Sequence, residues 1–276
     1  MRARPVLSKA FKSLVFAGFF AVPALVQPTA AGPVDAQYAI SVAGIPLGTA
    51  DITGSIDAAS YDLSVQAKLS AIAQLVTTGQ GAARAAGTYA GLRPVSRGYA
   101  LTASNSQMSR TIQLGMAGQD ITLVKVQPPF EAKPDRVLVE PSHLKQAVDP
   151  VSALIMPVGG GDGAGPGACN RVIPVFDGAH RFNVSLSYAA TRNVVKKGVY
   201  QGPVVICRAR YMPVAGHVPS RPETKFMAQN RDMEVWLAPV PGAPVMVPFR
   251  IAVKTMLGTT LIEAQKFNLG GLTAQR

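Results

Sequence analysis

Apolar and polar residues alternate with period two along much of the chain, which puts apolar side chains on one face of an extended strand. The clearest stretch is 61–69, where Tyr61, Leu63, Val65, Ala67 and Leu69 alternate with Asp62, Ser64, Gln66 and Lys68. Phe182, Val184, Leu186 and Tyr188 alternate with Arg181, Asn183, Ser185 and Ser187. Val245, Val247, Phe249, Ile251 and Val253 share one face of a long strand, with Arg250 and Lys254 on the other. Weaker alternation covers 38–43, 49–56, 97–104, 109–116, 119–126, 203–211 and 232–238, and 259–268 can pair with 245–257 around Gly258. Turn signals separate these runs: Gly44 to Gly48, Asp177-Gly178 between 171–176 and 181–188, Lys196-Lys197-Gly198, and Pro241-Gly242. The pattern predicts an all-β protein of about ten strands, mostly sequential neighbours. One polar and one apolar face per strand predicts antiparallel pairing. A curved meander of this kind hides its edges by closing, or nearly closing, into a barrel.

Helix is scarce. Ala71–Thr77 has room for a turn or two. Asp149 to Met156 reads as a short helix with Asp149 as N-cap and Pro150 at its first position, ended by Pro157 and the glycines after it. The segment 127–147 is rich in Pro and charge, so it reads as a surface connection between an N-terminal and a C-terminal half. Neither half supplies enough strands to close a barrel comfortably, so residues 37–276 are expected to form a single β domain.

The start of the chain has a different character. Arg2, Arg4, Lys9 and Lys12 precede the apolar run Ser13–Val26, and small residues follow. That order predicts a secretory signal peptide over residues 1–36, with cleavage between 30 and 36. The run is shorter than a membrane span and Pro23 interrupts it. No later stretch reads as a transmembrane helix. The expected location is the periplasm.

Charge then narrows the partners. Removing the four basic residues and one acid of 1–36 from the chain's 27 Lys+Arg and 15 Asp+Glu leaves a net charge of +9. Such a surface reads first as an ordinary solvated one that happens to be basic, and it also suits anionic partners such as lipid head groups or acidic polymers. The charges are scattered and the aromatic residues do not interleave with them, which argues against nucleic acid.

Cys169 and Cys207 are the only cysteines. In an exported chain an even count predicts a bridge, and no C-x-x-C or metal-ligand spacing competes with it. Gly159–Gly167 lacks the Lys-Ser/Thr ending of a phosphate loop and follows a helix end, so it reads as a flexible loop. His143, His180 and His217 stand in no metal-binding spacing, and no serine lies in G-x-S-x-G. No catalytic residue, cofactor or metal is assigned. Two groups are candidates for a ligand or partner contact. Asp177, His180 and Arg181 share one loop, although Asp177 and Gly178 are also ordinary turn formers. Arg208, Arg210, His217 and Arg221 form a basic group, with Arg208 and Arg210 on the strand face opposite Cys207 and Ala209.

Cys169-Asn170-Arg171, followed by Pro174 to Gly178 and Arg181-Phe182, resembles an exported bacterial family catalogued as domain of unknown function 3108. Asp149–Leu154, Tyr211 to His217, Val247 to Arg250 with Leu257-Gly258, and the start from Tyr38 to Gly48 fit the same pattern. The resemblance covers about 38–270 and implies a periplasmic protein with a curled or barrel-like sheet. It implies no activity.

Three functions follow. The first is a binding module, a carrier of an apolar or lipid ligand or an envelope-assembly factor. Small inward residues such as Ala50, Gly54, Ala67 and Ala103 among large ones leave room for a cavity. The second is a structural or interaction protein of the envelope with a filled core. The third, an envelope hydrolase, needs a serine, a histidine and a carboxylate converging in one cleft.

Overall fold

The computed structural model describes residues 32–70, 79–159 and 165–270. Seven strands make the N-terminal wall: β1 (Gly32–Val42), β2 (Ile45–Ile56), β3 (Ser60–Leu69), β4 (Gln80–Ala90), β5 (Arg93–Ser104), β6 (Ser109–Ala117) and β7 (Asp120–Gln127). After a long connection come β8 (Met156–Pro157), β9 (Arg171–Phe176), β10 (Arg181–Lys196), β11 (Tyr200–Ala215), β12 (Met233–Pro239), β13 (Val245–Thr255) and β14 (Gly258–Leu269). All fourteen belong to one antiparallel sheet, ordered β7-β6-β5-β4-β3-β2-β1-β14-β13-β12-β11-β10-β9, with β8 paired to the start of β13. The two meanders meet where β1 pairs with β14.

Two expectations are corrected. The sheet has fourteen strands, not about ten, and it is not closed by hydrogen bonds, because β7 and β9 stand at opposite edges. It is an open, curled sheet. Much of the undercount is at β4, whose run Gly81, Ala82, Ala83, Ala85, Ala86 and Gly87 carries almost no hydrophobic contrast to read. At one of them close packing requires the small size. A side chain at Gly87 would collide with the Val95 carbonyl and the Tyr61 ring. β10 and β11 also run well beyond their periodic cores, at 16 residues each. One helix, α1 (Pro222–Gln229), was not expected, although Pro222 and Glu223 in its first turn are helix-start residues.

The end of the 127–147 connection spans part of the gap between the sheet edges. Asp120 at the start of β7 receives Lys145 Nζ at 2.8 Å and the Gln146 amide at 3.0 Å. Val148 then donates to the Pro174 carbonyl and accepts from the Phe176 amide of β9, the one parallel bridge among the described residues. Arg171 on β9 donates to the carbonyls of Leu92, Pro157 and Gly167, tying the β4–β5 turn to the C-terminal half.

The chain next turns inward. Asp149 was expected as the N-cap, but the N-cap of the turn that forms is Val151; Asp149 Oδ1 instead accepts from the amides of Val151 (3.0 Å) and Ser152 (2.9 Å) and holds the start of the segment. The helix expected over 149–156 shrinks to a 3-10 turn, Ser152–Leu154, because Met156 and Pro157 are drawn into extended pairing with Val245 and Met246. The helix suggested at 71–77, most of the glycine run and most of the leader lie outside the described residues.

Candidate functional site

Side chains directly opposite each other across a ladder lie on one sheet face. One row of the N-terminal wall reads Ala36, Ile52, Val65, Ala83, Leu101, Ile112, Val126. Tyr38, Ala50, Ala67, Gly81 and Ala103 form the next. The second row is almost all small, as the sequence expected of Ala50, Ala67 and Ala103. In the C-terminal direction Ile40 lies opposite Ile262, Ile262 opposite Ile251, Ile251 opposite Val235, and Val235 opposite Cys207. One continuous apolar face thus runs from the small-residue rows to the disulfide.

That face encloses a cavity of about 200 Å³. β1 contributes Val34, Ala36, Tyr38 and Ile40, and β2 and β3 contribute Ala50, Ile52, Ile56, Leu63 and Val65. Val247, Pro248 and Ile251 of β13 and Ile262 and Leu269 of β14 complete the wall. Val151, Leu154 and Ile155 of the inward segment reach it as well. Tyr38 is the one lining residue with a polar side-chain atom, and its hydroxyl donates to the Pro248 carbonyl at 2.6 Å. Burial pushes that phenol above the ordinary range, so it stays neutral.

The cavity has a direction. Val34, Ile56, Leu63, Val151, Ile155 and Leu269 are buried, whereas Ile40, Ala50, Ile52, Val65, Ile251 and Ile262 are half-buried. The half-buried group lies nearer the β1–β2 and β13–β14 turns, which marks that end as the mouth.

A polar network holds the inward segment in place. Ser152 Oγ donates to Asp149 Oδ2 at 2.6 Å and accepts from the Tyr61 hydroxyl at 2.7 Å. Asp149 and Ser152 are fully buried, and Tyr61 nearly so. Burial raises the Asp149 carboxyl above its usual range, and the donated bonds from Ser152, Ser96 and Val151 offset only part of that. The network contains a serine and an acid, but its hydrogen bonds include no histidine.

The structure disperses the residues that the sequence picked out. Cys169 and Cys207 are fully buried with their sulfurs at disulfide distance, 2.01 Å, inside an apolar cluster with Val205, Val235, Leu237 and Met246. Asp177 Oδ1 accepts from the amides of Ala179 and His180, and Oδ2 lies 3.2 Å from His180 Nδ1. Burial opposes ionisation of Asp177, but the His180 and Ala179 bonds outweigh it and hold the carboxyl below its ordinary value. Arg181 donates to the His143 and Phe182 carbonyls and to Asn183 Oδ1. Gly216, at φ +83, packs so closely on Ala179 and His180 that no side chain fits, which brings His217 beside that turn. Asp177, His180, Arg181 and His217 therefore share one corner; the bonds of Asp177 and Arg181 go to the protein's own loops, and the buried His217 Nδ1 has no hydrogen-bond partner. Arg208 and Arg210 do not join them. They are exposed on the face of β11 opposite buried Cys207 and Ala209, and Arg210 pairs with Ser185, four positions along β10 from Arg181. Arg221 sits at the N-cap of α1. Most of the cavity wall was not identified from sequence, because its residues come from five strands and a turn far apart in the chain.

Among the described residues no group of three or more His, Cys, Asp or Glu side chains is placed to hold a metal, and no helix is long and apolar enough to cross a membrane. No curated protein matches the sequence. The fold is similar to that of a solved structure, a beta-barrel-like protein of domain of unknown function DUF1849 from Brucella abortus. The TM-score is 0.50 at 10% identity, covering 86% of this chain and 98% of that one. A family model described as protein of unknown function (DUF3108) matches residues 37–265, and the chain belongs to that family.

Proposed function

We propose that this protein is a non-enzymatic carrier that shelters an apolar chain of an amphiphile in the cell envelope after export. The observation that carries the reading is the 200 Å³ cavity, whose lining has a single polar side-chain atom, already satisfied within the protein. An apolar cavity of roughly 150 Å³ stays dry and accepts a benzene-sized guest. The volume here falls below the roughly 300 Å³ at which pockets for whole drug-sized ligands begin. The fitting guest is one hydrocarbon chain, its polar head left at the mouth. A basic surface favours an anionic head.

The second reading, an envelope protein with a filled core, draws support from the packing of Tyr200, Phe249 and Phe267, whose ring centroids lie 5.3–5.7 Å apart in tilted and edge-to-face contacts. Lipid extraction of protein purified from the envelope fraction, read by mass spectrometry, separates the two. The carrier reading expects one amphiphile class recovered in stoichiometric amount. Repeated recovery of lipid-free protein favours the filled core. For export, N-terminal sequencing should read a start near Ala31–Gln37, and a start at Met1 in the exported fraction would refute it.

A further inference from the structure

We infer that the two hairpin tips at the cavity mouth dock on an anionic bilayer, so that the carrier, if the reading above holds, meets its cargo at the membrane surface. The tips are the β1–β2 turn and the β13–β14 turn. They are fastened together: the Ala43 amide donates to the Thr259 carbonyl at 3.0 Å, and a side chain at Gly258 would press on Ala43. Together they present Ile45, Met256 and Leu257, which are 56%, 55% and 83% exposed. Hairpin tips need turn formers, and polar ones serve as well. Three large apolar residues on two adjoined tips therefore lack a local structural reason.

Two further observations point to a lipid surface as the occupant. The tips adjoin the half-buried ring of Ile40, Ile251 and Ile262 at the open end of the cavity. Apolar surface is therefore continuous from the cavity wall to the solvent-facing tips. The opposite end carries the buried segment around Asp149 and Ile155. Charge is complementary too. Lys68 near the end of β3, Arg231, and Lys254 near the end of β13 are exposed at this end. Asp232 pairs with Lys254 at 3.1 Å, which leaves a net positive rim. A few apolar side chains in the interfacial region, flanked by Lys and Arg, are how peripheral proteins sit on anionic leaflets.

The test uses flotation of the mature protein with vesicles of phosphatidylglycerol and phosphatidylcholine, against vesicles of phosphatidylcholine alone. Binding to the anionic vesicles is expected, falling at least about tenfold on pure phosphatidylcholine and in high salt. The variant Ile45→Ser/Leu257→Ser should lose at least about tenfold in binding, since each exposed apolar side chain contributes through burial. Leu257→Phe should retain it. Both variants should melt with the wild-type protein, as the tips are solvent-exposed. Equal flotation of wild type and the double-serine variant would overturn the inference. So would wild-type protein that ignores vesicles but self-associates through the tips in sedimentation, because the patch would then be an interface between copies. Uptake of a fluorescent fatty acid without vesicles reads the carrier function separately. A tip variant that still takes up the probe but no longer floats supports docking, and wild type that floats without any uptake removes the carrier reading while docking stands.

Discussion

β4 and β11 illustrate two ways of using a strand. β4 buries one face only, and its inward residues are Gly81, Ala83, Ala85 and Gly87. β11 runs Val204, Val205, Ile206 and Cys207 buried in succession, covered on both faces. The same contrast holds for whole walls. The N-terminal wall has one wet face, and its inward rows mix small residues with large ones. The C-terminal wall is packed on both sides where β11 (204–207) and β13 (245–249) pass the disulfide and the aromatic group at Phe249. The difference teaches where the room comes from. The void lies where the two walls meet at β1 and β14, with Ala36 and Ala50 the small residues among its larger lining, and the densely packed strands beside it supply rigidity that keeps it from collapsing.

The comparison can be broken most severely at Phe249. This ring is 1% exposed and touches Tyr200 and Phe267. Phe249→Ala should cost about 3–5 kcal/mol in urea unfolding, and Leu101→Ala in the thin wall at most about 2 kcal/mol. Equal losses would mean that the walls do not differ.

Removing the bridge comes next. Cys169→Ser with Cys207→Ser opens a connection spanning 38 residues within the packed half, and should cost about 3–4 kcal/mol. Free-thiol labelling of the unreduced, denatured wild-type protein should find neither cysteine. Two labelled thiols would remove the basis for that loss.

A smaller effect sharpens how the inward segment is held. Asp149→Ala strands two amides and the Ser152 hydroxyl in a buried site and should cost about 2–3 kcal/mol. Asp149→Asn keeps an acceptor and adds a donor, so its loss should be smaller and pH-dependent. Because the folded-state carboxyl is raised, wild type gains stability from it at acid pH and loses that gain as pH rises through the folded-state value. The Asn variant should therefore improve relative to wild type from acid toward neutral pH in thermal melts. Asp177 runs the other way. Its lowered carboxyl contributes stability above the unfolded value that disappears on acidification. A melt series in which Asp149→Asn gains nothing as pH rises would contradict the assignment at Asp149.

The contrast between the walls also explains what the sequence made legible. Strands with one wet face alternate cleanly, so 61–69 and 109–116 were read close to their true bounds. β4 was invisible, since Ala and Gly mark neither face. β10 and β11 were read short, because their outer parts beyond the alternating cores carry little hydrophobic contrast. Asp149 as an acceptor for the amides just after it was legible because that contact is local. The inward course of residues 149–157 was not, because it depends on pairing with Val245 and Met246, about ninety positions away. The loop at Asp177 attracted notice for its chemistry, yet its hydrogen bonds go to its own turn. The cavity drew notice only through a few small residues, since a void is made by residues distant in sequence.

The most direct measurement is titration of a fluorescent fatty acid into wild type and Ala50→Phe. Ala50 lines the mouth half of the cavity, opposite Tyr38 and Ala67. A ring there fills space that is already empty, so stability should change by no more than about 1 kcal/mol. The cavity account predicts saturable uptake of one chain per wild-type molecule and at least about tenfold weaker uptake by the variant. Identical uptake by the two proteins, or none by wild type, would contradict it.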